Sequence, residues 1–315
     1  MSPVASGEAA IRGRATLTGC MWPRRADTRT PATLVLNPRA GAIARLPMGA
    51  QGVIEAARTH FALMQDPAPE LPIDAQIARA LAPAPEVVLV AGGDGTVAAV
   101  AEQLVGEPSM LGVIPGGTMN RLAARLGLPR DPIEAIEALA GAEPVLLPTG
   151  SVNGRLFLYQ AVLGRPARLA RFREMQRDGQ SGWWPLLVAG LRAAARPLGR
   201  RLDVAVPPAF RTDAVAAVVT VPEPHLADGR LRIEAVQRTS LAAGARQVVL
   251  WLTGRLGDSP DVLCADAPHA AIRARRRRIR LMLDGEMVLM ENPLRIRLVR
   301  GALTLLRPPR PPDAA

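Results

Sequence analysis

The chain has 315 residues, 49% of them hydrophobic, which is long and apolar enough for one large or two ordinary globular domains and excludes a disordered protein. All 39 basic residues are arginine, so mechanisms that require a lysine are excluded, including the P-loop lysine that contacts nucleotide phosphates. The net charge of +11 is typical of a protein with a polyanionic partner, either nucleic acid or an anionic membrane surface, or of one whose arginines only keep its surface soluble.

The first half of the chain alternates short apolar strands with helices. Residues 1–30 lack a hydrophobic period and are predicted to form a loose N-terminal extension. Three strand-to-helix units follow, with strands at 32–36, 86–91 and 110–114 and helices at 53–64, 97–105 and 121–126. A fourth helix begins after Asp131 as N-cap and runs to about residue 140. This alternation predicts a parallel sheet covered by helices on both faces.

The second half consists of short strand-like runs separated by turn residues. Val-Asn-Gly at 152–154 is typical of a hairpin turn. The runs lie at 156–163, 214–221, 231–236, 279–283, 287–290, 294–299 and 302–306. We therefore expect a mainly antiparallel β domain at 146–308 after an α/β domain at 31–145, with a tail at 309–315.

Three strand-to-helix loops of the first half are rich in Gly, Asn and Thr, at 37–41, 92–96 and 115–120. Ligands of open α/β sheets bind at the carboxyl ends of the strands, so these loops are expected to converge. Glycines let backbone N–H groups approach phosphate oxygens, which makes phosphate binding the natural chemistry. The carboxylate of Asp94 would repel a pyrophosphate unless a metal ion or a transferable proton were present, and this favours phosphoryl transfer over dinucleotide binding.

Five short motifs resemble, in order, the elements of the diacylglycerol kinase catalytic domain family. Asn-Pro-Arg-Ala-Gly at 37–41 resembles its N-P-x-S-G element, 92–96 matches its G-G-D-G-T, and 114–127 resembles its P-x-G-T-x-N-x-x-A-x-x-L-G element. Asp-Gly-Arg-Leu at 228–231 and Asp-Gly-Glu at 284–286 resemble its D-G-x-L and D-G-E elements. Five ordered elements are a much more specific signal than any one of them.

This resemblance implies an ATP-dependent lipid kinase with an N-terminal Rossmann-like α/β domain, similar to that of phosphofructokinases and NAD kinases. The C-terminal domain would be a mainly antiparallel β-sandwich with inserted helices, and ATP with Mg²⁺ would bind between the two. The acceptor would be a hydroxyl of diacylglycerol, ceramide or a sphingoid base. Asp94 would work at the phosphoryl centre, and Glu286 would reach it across the cleft. The nucleotide would be held by Asn37, Gly41, Gly92, Gly93, Gly95, Thr96, Gly117, Thr118 and Asn120.

Several positions depart from the family pattern. Ala40 replaces a serine, and Ala98-Ala99 replaces the usual Asn-Glu. Arg121 and Pro148 stand at two positions that are commonly acidic. The resemblance therefore leaves the protein ligands of Mg²⁺ unassigned.

Two segments are candidates for membrane contact. The segment 183–201 has an aromatic start, an apolar stripe and a row of arginines, as in an interfacial helix or an ordinary surface helix. The arginine run at 273–278 either faces anionic headgroups or forms a charged edge that discourages strand pairing. Apolar stretches are interrupted before bilayer length, and the two cysteines have no disulfide or zinc pattern. We expect a cytoplasmic protein that associates peripherally with the inner face of the membrane.

Two other function classes stay open. An NAD kinase or sugar-phosphate kinase also uses a G-G-D-G loop, but the P-G-G-T-M-N and D-G-E elements favour a lipid kinase. A catalytically degenerate lipid- or nucleotide-binding module would explain the departures from the pattern, whereas the retention of Asp94 and Glu286 favours an enzyme. Nucleic-acid binding is supported by net charge alone and is not expected. The accepted lipid and the oligomeric state are not determined by the sequence.

Overall fold

The structure is a computed structural model that describes residues 29–164, 201–222, 229–237, 243, 246, 247, 250 and 255–309. The chain divides into two units, one formed by Met1–Leu147 with Gly301–Ala315 and the other by Pro148–Arg300. The sequence pattern alone groups residues 302–306 with the β-rich half, whereas in the structure the chain from Gly301 onward belongs to the first unit.

The first unit is built on parallel strands that alternate with helices. Its strands are β1 (Pro31–Leu36), β2 (Ala62–Leu63), β3 (Val87–Gly92) and β4 (Met110–Pro115). Its helices are α1 (Gly41–Ala44), α2 (Gly49–His60), α3 (Ile73–Leu81), α4 (Asp94–Gln103), α5 (Arg121–Arg125) and α6 (Pro132–Ala140). The strands pair in the order β2-β1-β3-β4, all parallel. β3 and β4 are buried throughout, as expected of strands covered on both faces, so the predicted parallel sheet is confirmed.

Several elements of the first unit differ from the sequence-based expectation, and neither α1 nor β2 was predicted. The helix expected at 53–64 begins earlier and ends at His60, because Phe61 adopts an extended conformation and is buried as the chain enters β2. Helix α3 was not predicted. Its buried residues Ile77 and Ala80 repeat at helical spacing, and this short pattern was the available signal.

The second unit is an antiparallel β-sandwich. The strands are β5 (Glu143–Val152), β6 (Arg155–Phe157), β7 (Gln160–Gly164), β8 (Leu202–Val206), β9 (Phe210–Ala214), β10 (Ala216–Thr220), β11 (Leu231–Val236), β12 (Val262–Ala267), β13 (His269–Ala274), β14 (Arg278–Leu283), β15 (Glu286–Glu291) and β16 (Leu294–Arg307). Two of these strands extend into the first unit, β5 at its start and β16 at its end. One sheet has the order β12-β11-β10-β7-β14-β15. The opposing strands pair in the order β16-β13-β8-β9, again antiparallel.

The core of the second unit lies between these two groups of strands. Aliphatic side chains from both groups form one buried cluster, which includes Leu163, Val219, Ile233, Leu281, Val204, Ile272 and Ile296. Alternation of buried and exposed residues is clear in β11 and β16. The expected class, an α/β domain followed by a mainly antiparallel β domain, is therefore confirmed.

Several strand boundaries of the second unit were not predicted correctly. The run 156–163 is split into β6 and β7, and the two runs at 294–299 and 302–306 form one strand, β16, that contains Gly301 with a positive φ of 58°. From Gly301 onward β16 belongs to the first unit, where Leu305 lies opposite Leu111 of β4. Across the described ranges, no helix has the length and apolar character needed to cross a membrane.

Candidate active site

Three loops meet at the carboxyl ends of β1, β3 and β4 in the first unit. The backbone N–H of Asn37 donates to the carbonyl of Ala91 at 2.8 Å, which joins the first loop to the end of β3. The N–H of Gly116 donates to the carbonyl of Gly92 at 2.8 Å, and the N–H of Ala42 donates to the carbonyl of Gly116 at 2.8 Å. The predicted convergence of the three loops is therefore present in the structure.

Close packing between glycines explains part of the loop sequence. A Cβ atom at Gly117 would lie 2.5 Å from the Cα of Gly93. A Cβ atom at Gly116 would lie 2.6 Å from the Cδ1 of Ile43 and 2.9 Å from the Cα of Gly92. No side chain fits between these backbones, so glycine is required at 116 and 117 by the fold itself.

At two other glycines of the loops, close packing does not explain why the residue is glycine. A Cβ atom at Gly95 would meet nothing within 4 Å, and one at Gly41 would meet only the guanidinium of Arg45 at 4.0 Å. Neither residue has the positive φ that favours glycine. Gly95 is the second residue of α4, and alanine is favoured over glycine in helices. The open space beside Gly95 is what a ligand approaching the backbone would need.

Asn37 and Thr96, both predicted nucleotide residues, lie side by side. The Nδ2 of Asn37 donates to the Oγ1 of Thr96 at 3.3 Å, and the Oδ1 of Asn37 accepts from the N–H of Arg39 at 3.1 Å. The Thr96 side chain packs against Gly92, whose Cβ position would lie 2.8 Å from the Thr96 Cβ. The first two loops thus present an amide and a hydroxyl to the same place.

Asn120 shapes the third loop. It adopts a left-handed conformation with φ 45°, which asparagine tolerates better than most residues. Its Oδ1 accepts from the N–H of Gly117 at 2.8 Å, and its Nδ2 donates to the carbonyl of Gly117 at 2.7 Å. Thr118 is exposed within the loop that these two bonds close. Asn120 therefore has a structural role, and its predicted contact with the nucleotide stays a prediction.

Asp94 stands at the start of α4, directly after the buried strand β3. Its Oδ1 accepts from the N–H of Arg121 at 2.8 Å, which ties the second loop to the start of α5. Burial raises the pKa of the Asp94 carboxyl above its ordinary value, while hydrogen bonds from backbone N–H groups and the charge of Arg121 oppose that shift. A half-buried carboxyl whose pKa is shifted by its surroundings is typical of a functional group.

The described residues contain no group of three or more His, Cys, Asp and Glu side chains that could hold a metal ion. Asp94 is the only carboxylate in loops 37–41, 92–96 and 115–120. Mg²⁺ commonly binds proteins through one or two carboxylates together with substrate phosphates. The site therefore fits a magnesium ion that arrives with a nucleotide, and it does not fit a metal held by the protein alone.

In the second unit, Glu286 lies at the start of β15. Its Oε2 is 2.9 Å from a guanidinium nitrogen of Arg155, and both side chains are exposed. Such an exposed ion pair contributes little to stability. It does restrict the position of the Glu286 carboxylate relative to β6.

Asp284 is a residue whose role the sequence analysis missed. Its carboxylate accepts hydrogen bonds from three successive backbone N–H groups, those of Leu158 at 2.6 Å and of Tyr159 and Gln160 at 2.8 Å each. Asp284 has a positive φ of 48° in the turn between β14 and β15. It ties that turn to the chain between β6 and β7 and explains why the run 156–163 is not one strand. The Asp-Gly-Glu motif was the available signal, but only its glutamate was given a role.

Asp94 belongs to the first unit and Glu286 to the second. The approach of Glu286 to Asp94 across a cleft stays a prediction. Asp228 and residues 183–200 of the amphipathic segment lie outside the described residues. Gly229 is described, has a positive φ of 67°, and leads into β11 as the Asp-Gly-x-Leu motif suggested.

Comparison with known proteins agrees with this architecture. Residues 31–153 match the diacylglycerol kinase catalytic domain. The chain is 26% identical over 224 residues to a diacylglycerol kinase of Staphylococcus carnosus, an alignment that covers 66% of this chain and 72% of that protein. It is 25% identical over 218 residues to the diacylglycerol kinase of Bacillus subtilis, covering 64% and 71% of the two chains.

Two further similarities concern a shorter segment and the fold. A probable lipid kinase YegS-like protein of Pseudomonas aeruginosa is 41% identical over 92 residues, which cover 28% of this chain and 30% of that one. The crystal structure of a putative diacylglycerol kinase from Bacillus anthracis superposes with a TM-score of 0.67 at 20% identity, covering 89% of this chain and 96% of that one. Residues 31–153 are therefore similar to a diacylglycerol kinase catalytic domain, and the chain shares the fold of the Bacillus anthracis protein.

Proposed function

We propose that this protein transfers the γ-phosphate of ATP to a hydroxyl of a membrane lipid, namely diacylglycerol, ceramide or a sphingoid base. The observation that carries the proposal is the open space at Gly95 beside the half-buried carboxyl of Asp94. Packing within the fold does not explain why residue 95 is glycine. A phosphate that approaches the backbone at the N-terminus of α4 would explain it, because it needs the space that a side chain would fill.

The phosphates of ATP would lie against the second loop, with the backbone N–H groups of residues 93–96 and the α4 N-terminus as donors. Asn37 and Thr96, joined by their hydrogen bond, would contact the nucleotide from the first two loops, and Thr118 from the third. The chain has no lysine, so arginine is the strongly basic side chain that could contact the phosphates. Arg39 follows Asn37 directly, and Arg121 contacts Asp94 through its backbone.

In the transfer step, Asp94 orients the lipid hydroxyl and accepts its proton as the oxygen attacks the γ-phosphorus. The bond between the γ-phosphorus and the bridging oxygen breaks, and ADP leaves with its negative charge. Asp94 is the carboxylate of the three loops that would hold Mg²⁺ together with the phosphates of ATP. When bound, the ion supplies positive charge to the phosphoryl oxygens. Arg155 holds Glu286 in place within the second unit.

Gly95→Ala tests whether the open space is a phosphate site. We expect unchanged or slightly higher thermal stability, because alanine is favoured at this position of the helix. We expect ATP affinity to fall roughly tenfold, because the new methyl group would occupy the ligand's space. Calorimetric titration with ATP measures the affinity. Gly141→Ala is the control, because a Cβ there also meets nothing within 4 Å but lies at the end of α6. Equal ATP affinity in the two variants would remove the second loop from the nucleotide site.

Glu286→Gln tests the carboxylate of the second unit. Because Glu286 is exposed, we expect the variant to fold normally and to bind ATP as the native protein does. Turnover should fall by about 10²-fold, the lower end of the range for a catalytic carboxylate. Glu291→Gln provides a matched control at the other end of β15, where the side chain is also exposed. Equal turnover in these two variants would place Glu286 outside the mechanism.

The acceptor is tested by supplying the purified protein with ATP, Mg²⁺ and one candidate at a time. Diacylglycerol, ceramide and sphingosine in mixed micelles represent the lipids, and NAD and a sugar phosphate represent the soluble acceptors of the rival kinases. We expect phosphorylation of at least one lipid and of neither soluble acceptor.

Since the substrate lies in a bilayer, we also propose that the protein works in the cytoplasm at the inner face of the membrane.

A further inference from the structure

Six exposed arginines lie within eight residues at the end of β13, in the following turn and in β14. We call residues 273–280 the arginine turn; its arginines are Arg273, Arg275, Arg276, Arg277, Arg278 and Arg280. None of the six forms an ion pair with any residue in the described ranges. Asp203 lies opposite Arg273 and Glu291 lies opposite Arg278 in strand register, so two acids stand beside six arginines and the segment keeps a local excess of positive charge.

Asn292 fixes the backbone of the arginine turn. Its Nδ2 donates to the carbonyls of Ala274 at 2.6 Å and Arg276 at 2.9 Å, and its Oδ1 accepts from the N–H of Ala274 at 3.2 Å. The N–H of Asn292 donates to the carbonyl of Arg277 at 2.9 Å. Four hydrogen bonds from one residue hold the turn in a single conformation. A preorganised turn loses less entropy when it binds a partner.

The neighbouring strand β15 adds exposed apolar side chains to the same surface. Leu289 lies opposite Arg280 and is 55% exposed, and Met287, two residues earlier, is 38% exposed. Residues opposite each other or two apart on a strand share one face, so these apolar groups stand beside Arg280 and Arg278. β15 is the last strand of its sheet and is therefore at an edge. The surface combines positive charge with protruding apolar side chains.

We propose that the arginine turn together with Met287 and Leu289 docks onto an anionic lipid bilayer. The arginines would bind the phosphates of the headgroups, and the two apolar side chains would enter the interface between headgroups and acyl chains. This inference rests on the proposed function, since a lipid kinase must meet its substrate at a bilayer. Docking would also bring the strand that begins at Glu286 to the membrane.

The same observations favour a membrane over a nucleic acid. Binding of single-stranded nucleic acid depends on aromatic side chains that stack on the bases, and residues 273–291 contain none. The exposed side chains of Met287 and Leu289 would stay in water beside a phosphate backbone, whereas a bilayer interface would bury them and thereby lower the free energy.

The test is sedimentation of the full-length protein with vesicles, without ATP. Binding should be weak to phosphatidylcholine alone, strong when phosphatidylglycerol is added, and reduced by salt. The double variant Arg276→Gln/Arg277→Gln should bind the mixed vesicles about 30-fold more weakly. Leu289→Ser should lower binding by roughly tenfold. The control Arg79→Gln/Arg130→Gln removes the same charge from exposed positions of the first unit and should bind like the native protein.

Three results would overturn the proposal. Equal loss in the two double variants would show that net charge alone drives binding. Vesicle binding that is indifferent to phosphatidylglycerol would exclude headgroup recognition. Loss of binding to a DNA oligonucleotide without loss of vesicle binding would assign the turn to nucleic acid. Phosphate transfer to any of dispersed short-chain diacylglycerol, short-chain ceramide and sphingosine is measured in parallel. Its absence would contradict the proposed function, whereas vesicle binding reports on the docking surface independently.

Discussion

Asp94→Asn is expected to abolish phosphoryl transfer while the fold and most of the ATP affinity survive. The asparagine Oδ1 can still accept the hydrogen bond from the N–H of Arg121, so the loop keeps its geometry. The variant cannot accept the proton of the lipid hydroxyl, nor can it hold a cation through charge. Loss of a positioned acid–base group typically lowers the rate by about 10²–10⁴-fold.

The pKa of Asp94 adds a stability test to this prediction. Burial raises the pKa of this carboxyl in the folded protein, so its contribution to stability is present at low pH and is lost as pH rises through the folded pKa. The side chain of asparagine is neutral at every pH, so the Asp94→Asn variant does not lose this stability as pH rises. At neutral pH the free energy of unfolding of Asp94→Asn should therefore equal or exceed that of the native protein. Native transfer should also decline on acidification at a higher pH than an exposed aspartate would cause.

Urea unfolding, calorimetry with ATP and transfer assays separate these effects. Glu102→Gln is the control, because it neutralises an exposed acid on the same helix. Turnover of Asp94→Asn equal to that of Glu102→Gln would show that Asp94 has no part in the chemistry.

Asp284→Ala is expected to destabilise the second unit strongly. It leaves the N–H groups of Leu158, Tyr159 and Gln160 without their shared acceptor. Hydrogen bonds to a charged group each contribute about 1.5–3 kcal/mol, so the loss should be about 4 kcal/mol or more. Asp284→Asn keeps one acceptor oxygen and should lie between the alanine variant and the native protein.

The midpoint of urea unfolding measures this effect. Asp213→Ala is the control, because Asp213 makes only an exposed ion pair with Arg201 at 3.5 Å and should cost less than about 1 kcal/mol. Equal midpoints for Asp284→Ala and Asp213→Ala would show that the three N–H groups find other acceptors at little cost.

The parts of the fold that local patterns specify were predictable from the sequence. The apolar runs of β3 and β4 identified buried parallel strands. Asp131 before Pro132 identified the start of α6, and the structure confirms the cap: its Oδ1 accepts from the N–H groups of Ile133 at 2.8 Å and Glu134 at 3.2 Å. The convergence of the three loops followed from their place after parallel strands.

What the sequence did not reveal depends on contacts between distant residues. The bonds from Asp284 to residues 158–160 join positions more than 120 residues apart, and no local pattern encodes them. Gln76 likewise supports the end of β1 by accepting from the N–H of Leu36 at 2.9 Å, although α3 was not predicted. Strands β8, β9, β12 and β13 were also missed, although Leu202, Val204 and Val206 of β8 alternate with less buried residues and were an available signal.

Comparison of α-labelled with γ-labelled ATP tests the proposed lipid kinase activity most directly. The purified protein is incubated with each nucleotide, Mg²⁺ and diacylglycerol, ceramide or sphingosine in mixed micelles, and the lipids are extracted. Label from γ-labelled ATP should appear in the lipid fraction, label from α-labelled ATP should not, and Asp94→Asn should transfer neither. If the protein binds ATP but no label enters any of the three lipids, it is a nucleotide-binding protein without lipid kinase activity and the proposed function is wrong.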